Sequence, residues 1–359
     1  MKLTAIQSCA SVLALAVAAV SAPVFAQEAA PADAAATDAP ADTLSEIVVT
    51  ASTGTKSKLD SSVSISSVDS AIIANFRPMS EGDLLRLLPG LQPNVSGPGG
   101  NGNFAVRGLP VATGGATFVQ LQEDGLPTVL FGDIQFGNND YWTKSSPMDA
   151  RVDAIRGGTA ATLASQAPGA VINYISKTDR SEGGYIQLER NLTYDYTRAS
   201  FRFSGAIDDK THFNIGGYYG AGDGPWHSGY QLSKSYLIKG NITREFDDNR
   251  GFFRVYFKAQ DTQEPNTQGG IACGKLSGGK VSDLQACPGF DPRRASNFSA
   301  FNPVVNYVDF DSQGLASTPL NGITTNAQSL QAQLHYKFDN GITVDNNARY
   351  TNMSGGFSS

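Results

Sequence analysis

Cysteine is nearly missing from this sequence, with three in 359 residues, and histidine is as scarce, with three. His212, His227 and His335 are scattered, and neither Cys273 nor Cys287 has a histidine nearby, so no zinc spacing is present. No hydrolase triad and no Walker loop can be assembled. The Gly-rich tract Ser96 to Asn103 contains Gly97-x-Gly99-x-x-Gly102, but no strand clearly leads into it and no helical pattern follows. A dinucleotide site is therefore not expected. Basic blocks are absent and the net charge is −6, which argues against a nucleic-acid partner. No apolar run approaches the ~20 residues a membrane helix needs. These gaps leave no enzyme, no cofactor and no metal to expect.

What is present begins with an export signal. Residues 1–26 have a positive start at Lys2, a short apolar core from Ser11 to Val20 and a small-residue cleavage site at Val24-Phe25-Ala26. Cys9 precedes that core, which argues against a lipoprotein anchor. Residues 27–44 follow as a leader. Gln27 to Thr43 holds eight Ala, two Pro and four acids, with no aromatic or basic residue, so it has too little apolar surface to fold. Residues 45–51, Ser-Glu-Ile-Val-Val-Thr-Ala, then form a β-prone heptad. By composition alone it reads either as the first strand of the next domain or as a free strand.

The stretch Arg151 to Lys177 divides the chain. Val152 to Ile155 alternates as a short strand, breaks at Arg156-Gly157-Gly158, and resumes as the β-rich run Val171 to Ile175 after Pro168-Gly169. Upstream, Val63, Ile65 and Val68 suggest a strand. Ser80-Glu81-Gly82-Asp83 suggests a helix cap, followed by Leu84, Leu85, Leu87 and Leu88 up to Pro89-Gly90. Asp124-Gly125 fits a tight turn between two β runs.

The dividing stretch resembles the closing signature of the plug domain of TonB-dependent outer-membrane receptors, RIEVLRGP…YGSGAPGGVINIITK. Arg151, Asp153, Arg156, Gly157, Pro168, Gly169, Val171, Ile172, Asn173 and Lys177 match; Gly158, Leu163-Ala164 and Ala170 depart. Phe104 to Gly108 and Val119 to Pro127 resemble the family's IRG and DGVP strands. The resemblance implies an α+β plug over residues 54–178. It also makes Glu46, Ile47, Val48, Val49, Thr50 and Ala51 the TonB-binding box, which pairs by strand addition with TonB in the periplasm. It places Arg107 and Arg156 where plug arginines face barrel carboxylates, with Glu189 and Glu245 as the candidate acids of a latch. The loop Phe131 to Thr143, carrying Phe136, Asn138, Asn139, Tyr141 and Trp142, is open to two readings: ligand contact, or packing against a barrel wall.

From Gly183 the period is two. Phe253, Val255, Phe257 and Ala259 alternate with Arg254, Tyr256, Lys258 and Gln260; Leu330, Ala332 and Leu334 alternate with Gln331, Gln333 and His335. Strands of about ten residues, joined alternately by tight polar turns and long loops, fit an all-β antiparallel transmembrane barrel in outer-membrane lipid. Phe246, Phe252 and Phe338, beside the short turns, suit an interfacial girdle. Cys273 and Cys287 share one long loop, Gln263 to about Thr325, and an exported chain favours a disulfide between them. Residues 183–359 supply about seven strands, whereas plugged transporters use ~22, so the barrel is expected to be incomplete and the chain to be the N-terminal part of a longer receptor. The expected function is energy-coupled uptake of a large extracellular nutrient, such as a ferric siderophore. Carbohydrate and cobalamin stay open as cargo, and a passive porin or adhesin barrel is the rival class.

Overall fold

The computed structural model describes residues 65–97, 100–109, 118–129, 139–157, 164, 169–224, 228–265, 272–289 and 304–358. The expected signal, leader and box, and also Val63, Phe136 and Asn138, lie outside the described residues. These residues fall within one compact unit, Glu46–Ser359.

The first domain is built on a mixed five-stranded sheet. β1 (Ile65–Asp69) is followed by two short helices, α1 (Ser70–Phe76) and α2 (Glu81–Leu85). Asp69 caps α1 by accepting from Ile72 N at 2.8 Å, and Ser80 caps α2 by accepting from Asp83 N at 3.2 Å. The helix expected through Leu88 stops at Leu85. Leu87 and Leu88 continue in turns, and Leu84, Leu85 and Leu88 still face the core. Ser96, Gly97 and Gly100 to Asn103 of the Gly-rich tract belong to the paired strands β2 (Leu91–Gly97) and β3 (Gly100–Val106), of which only the Phe104 end of β3 was expected as a strand.

β4 (Val119–Glu123) and β5 (Leu126–Pro127) flank the Asp124-Gly125 turn, where both residues have positive φ. β6 (Asp149–Arg156) and β7 (Ala170–Ser176) complete the sheet, in the order β1-β6-β7-β4-β5. β4 runs parallel to β7, and β6 antiparallel to it. Val68, Leu84, Leu121, Val152, Ile172 and Tyr174 fill the core between sheet and helices.

The second domain is a seven-stranded antiparallel meander. It comprises β8 (Gly183–Arg190), β9 (Asp195–Ala206), β10 (Thr211–Gly224), β11 (Ser233–Glu245) and β12 (Gly251–Glu264). Two hairpins then occupy the expected long loop: β13 (Ala272–Ser277) with β14 (Lys280–Ala286), and β15 (Val304–Val308) with β16 (Leu315–Pro319). β17 (Ile323–Lys337) and β18 (Thr343–Phe357) finish the sheet, in the order β18-β17-β12-β11-β10-β9-β8. β8 and β18 are its edges, so the wall is not closed among the described residues. The Sγ atoms of Cys273 and Cys287 are 2.10 Å apart and staple the first hairpin.

The wall inverts the burial of a soluble sheet. Asn241, Thr243, Lys258, Gln260 and Thr262 are buried, while Ile186, Leu188, Ile242, Phe253 and Leu330 are exposed. Water on the outer face would oppose that arrangement, and hydrocarbon favours it. Phe246 and Phe338 both pack on Tyr336, at 5.5 and 4.8 Å between centroids, beside the short turns. Phe252 differs from the girdle expectation. It shares the inward face with Arg254 and Tyr256, stacks on His335 and lies beneath the Arg254 guanidinium.

Candidate functional site

The inward face of the wall grips the first domain chiefly by its backbone. Asn241 Nδ2 donates to Lys177 O at 2.8 Å, Gln260 Nε2 to Tyr141 O at 2.6 Å, and Asn347 Nδ2 to Asp124 O at 2.9 Å. Lys258 Nζ donates to Trp142 O at 2.6 Å. Arg349 reaches the carbonyls of Glu123, Leu126 and Pro127, so one guanidinium clamps both sides of the Asp124-Gly125 turn. Carbonyl acceptors are a natural target for wall side chains, because every buried C=O of the docked turns needs a donor.

One carboxylate anchors this array. Glu123, at the end of β4, is 5% exposed and receives Lys258 Nζ at 2.9 and 3.0 Å. Lys239 Nζ lies 3.5 Å from Glu123 and 3.6 Å from Asp149, and Arg349 is 4.0 Å from Glu123. Burial alone would push the Glu123 carboxyl up. Lys258, Lys239 and Arg349 more than offset it and hold it down at about 2. Burial pushes Asp149 and Asp124 up despite Lys239. Lys239 and Lys258 are direct cross-strand partners on β11 and β12. Two ammonium groups set side by side repel, so the acid brought in by the first domain is what makes the pair tolerable.

The Glu123 anchor does not use the four residues of the expected latch. Arg156 is buried, but its guanidinium donates to Pro89 O and Ser66 Oγ within its own domain. β6 explains this. Arg156 ends the strand seven residues from Asp149, about 23 Å at ~3.3 Å per residue, while Asp149 is the end that meets the wall. Arg107 is exposed, at a φ of 44° where β3 turns away. Glu189 accepts from Gln187 at 2.7 Å, and Glu245 sits at the turn end of β11, half-buried. At the Glu123 anchor the cations stand on the wall and the acids on the domain it encloses.

Of the expected ligand-contact residues, Tyr141 is 4% exposed, and its carbonyl is held by Gln260 and Thr325. Trp142 is half-buried, and its ring tip lies where a side chain on Gly355 of β18 would go. Asn139 opens a short 3₁₀ turn, Asn139–Tyr141. For Tyr141 and Trp142 the packing reading fits the geometry. Among the described residues no cluster of His, Cys, Asp and Glu could hold a metal.

A second patch of the seam contains Glu81, Asp140 and Lys144 from the first domain with Glu264 from β12. All four are nearly fully buried.

Comparison with known proteins follows the same division. Residues 57–171 match the TonB-dependent Receptor Plug Domain family. No curated protein matches the chain. Among solved structures, the alcaligin outer membrane receptor of Bordetella pertussis aligns with a TM-score of 0.55 at 16% identity, over 85% of this chain and 41% of that one. The ferric yersiniabactin uptake receptor of Yersinia pestis gives 0.55 at 17%, over 83% and 42%. The ferripyoverdine receptor of the Pseudomonas aeruginosa outer membrane gives 0.59 at 18%, over 84% and 35%. The chain thus spans about two fifths of the length of these receptors. Residues 57–171 are a plug domain of the TonB-dependent receptor family, and the strands that follow fold as part of the barrel wall of those receptors.

Proposed function

We propose that the protein is an outer-membrane receptor that imports a large extracellular nutrient with energy delivered by TonB. The observation that carries this reading is the plug seated on the inward face of the wall through the Glu123 cluster. A passive pore has no use for a domain that blocks it. An adhesin has no use for a blocking domain tied by exchangeable ion pairs and single hydrogen bonds.

In this scheme residues 1–26 are removed on export and 27–44 act as a flexible tether. Glu46 to Ala51 add as a strand to TonB, and the ligand arrives from the side of the long loops. A ferric siderophore is the favoured cargo. The three proteins compared above are described as an alcaligin receptor, a ferric yersiniabactin uptake receptor and a ferripyoverdine receptor bound to ferripyoverdine.

Val48→Pro tests the coupling. Proline removes one ladder donor and fixes φ, so uptake should fall to background while ligand binding is kept. Normal uptake by Val48→Pro would remove the box from the scheme. Growth under iron limitation with and without the gene tests the cargo, and equal growth would exclude a siderophore as the required nutrient.

A further inference from the structure

The second patch of the seam has more buried acid than its surroundings can keep charged. Glu81 opens α2, Asp140 lies in the Asn139–Tyr141 turn and Glu264 ends β12, with exposures of 2%, 0% and 3%. One oxygen of each carboxyl is engaged: Glu81 Oε1 by Ser145 N, Asp140 Oδ2 by Gly102 N, and Glu264 Oε2 by Ser233 Oγ at 2.6 Å. The other oxygens, Glu81 Oε2, Asp140 Oδ1 and Glu264 Oε1, have no hydrogen-bond partner among the described residues. Glu81 and Lys144 line a polar cavity closed on the wall side by Tyr196, Tyr218 and Ser235.

The facing charges do not balance the acids. From the plug, Lys144 Nζ stands 3.6 Å from Glu81 Oε2, and the buried Tyr174 hydroxyl adds no positive charge. From the wall, Tyr194, Tyr196 and Tyr218 are neutral phenols. Arg198 lies over the Tyr218 ring at 3.9 Å and donates to Pro78 O. With Lys144 and Arg198 both charged, three ionised carboxylates would still leave a buried negative charge. A proton is the ligand that removes it, and it turns an orphan acceptor oxygen into a donor.

We propose that the plug–barrel seam holds an exchangeable proton, shared among Glu81, Asp140 and Glu264, which is taken from solvent as the plug seats and returned as it moves away. Two barrel-facing carboxyls of the plug and one plug-facing carboxyl of the wall are then brought together only in the seated state. Burial, opposed by Lys144, pushes Glu81 up to about 7 and Asp140 up to about 6. Acids raised in this way stabilise seating at low pH, and that contribution is lost as the pH climbs from their ordinary range through about 7. Seating should therefore loosen from acid toward neutral and alkaline pH.

The test uses the whole protein in outer-membrane vesicles and does not depend on what is imported. Infrared difference spectra should show a protonated-carboxyl C=O band that disappears between about pH 5 and 8 and weakens in Glu81→Gln and in Glu264→Gln. Amide exchange of residues 139–149, corrected for the intrinsic rate, should lose about tenfold in protection over the same range. Either Gln variant should flatten that loss. Absence of a titrating band from the wild-type protein, or wild-type protection that does not change with pH, would overturn the proposal. Normal uptake by Val48→Pro would remove the coupling scheme and leave both readouts in place, so the two readings fail separately.

Discussion

At the scale of single residues, the seam turns on Glu123. Its neighbours Lys239 and Lys258 are 5% and 8% exposed, so neither ammonium has bulk water to fall back on. Removing the acid leaves cations buried against each other, a loss on the order of 3–5 kcal/mol for a broken buried pair. Glu123→Gln should therefore loosen the plug, seen as raised permeability of cells to bulky antibiotics. Glu123→Gln combined with Lys258→Met should recover part of the barrier, since the double change removes the unmatched charge. Equal permeability of wild type and Glu123→Gln would show that the backbone clamps alone hold the plug. The pH sense differs from that of the carboxyl patch. An acid held down at about 2 contributes its stability above its ordinary value and loses it only as the pH falls toward 2. Between about pH 5 and 9 the Glu123 carboxyl itself should not titrate, so loosening in that range has to come from other groups, the Glu81, Asp140 and Glu264 patch among them.

At the scale of elements, much was legible where the pattern is local. The Ser80 cap, the Asp124-Gly125 turn, β6, β7 and the alternation of the wall strands are each fixed by neighbours a few residues apart. Most of β2–β3 was missed because its Gly-rich sequence carries no alternation. The anchor was missed for a different reason. Alternation put Lys239 and Lys258 on the polar face, but which plug residue meets them depends on how two domains dock. A signal did exist: the tight turn at Asp247 to Arg250 sets a register in which the two lysines stand opposite, and opposed like charges call for an acid between them. The hairpin β13–β14 makes its own prediction. A disulfide closing a loop of about 15 residues contributes roughly 3 kcal/mol by chain entropy. Replacing both Cys273 and Cys287 by Ser should make residues 272–289 a preferred site of protease cleavage on intact cells while the wall strands stay resistant. An unchanged cleavage pattern would mean that strand pairing alone orders the hairpin.

At the scale of the whole molecule, the deciding feature is which face of the wall meets water. Phe257, Leu330 and Tyr350 are register partners across β12, β17 and β18, and they stand exposed at 38%, 58% and 75%. Their sequence neighbours point the other way: Lys258 and Gln331 are buried against the plug. An exposed apolar belt three strands wide opposes solubility in water but needs no explanation in hydrocarbon. Leu330 lies at the centre of the fifteen-residue β17, where a bilayer midplane would fall. Leu330→Arg should then cost about 2–4 kcal/mol, because a guanidinium on the lipid face has neither water nor a counterion. Asn326→Arg, on the same outward row of β17 but close to its long-loop end, should cost about 0–1 kcal/mol. Urea unfolding of the two variants in lipid vesicles, set against wild type, measures the difference directly. Equal midpoints for Leu330→Arg and wild type would mean that this face is wetted, and the membrane assignment of the wall would fall with it.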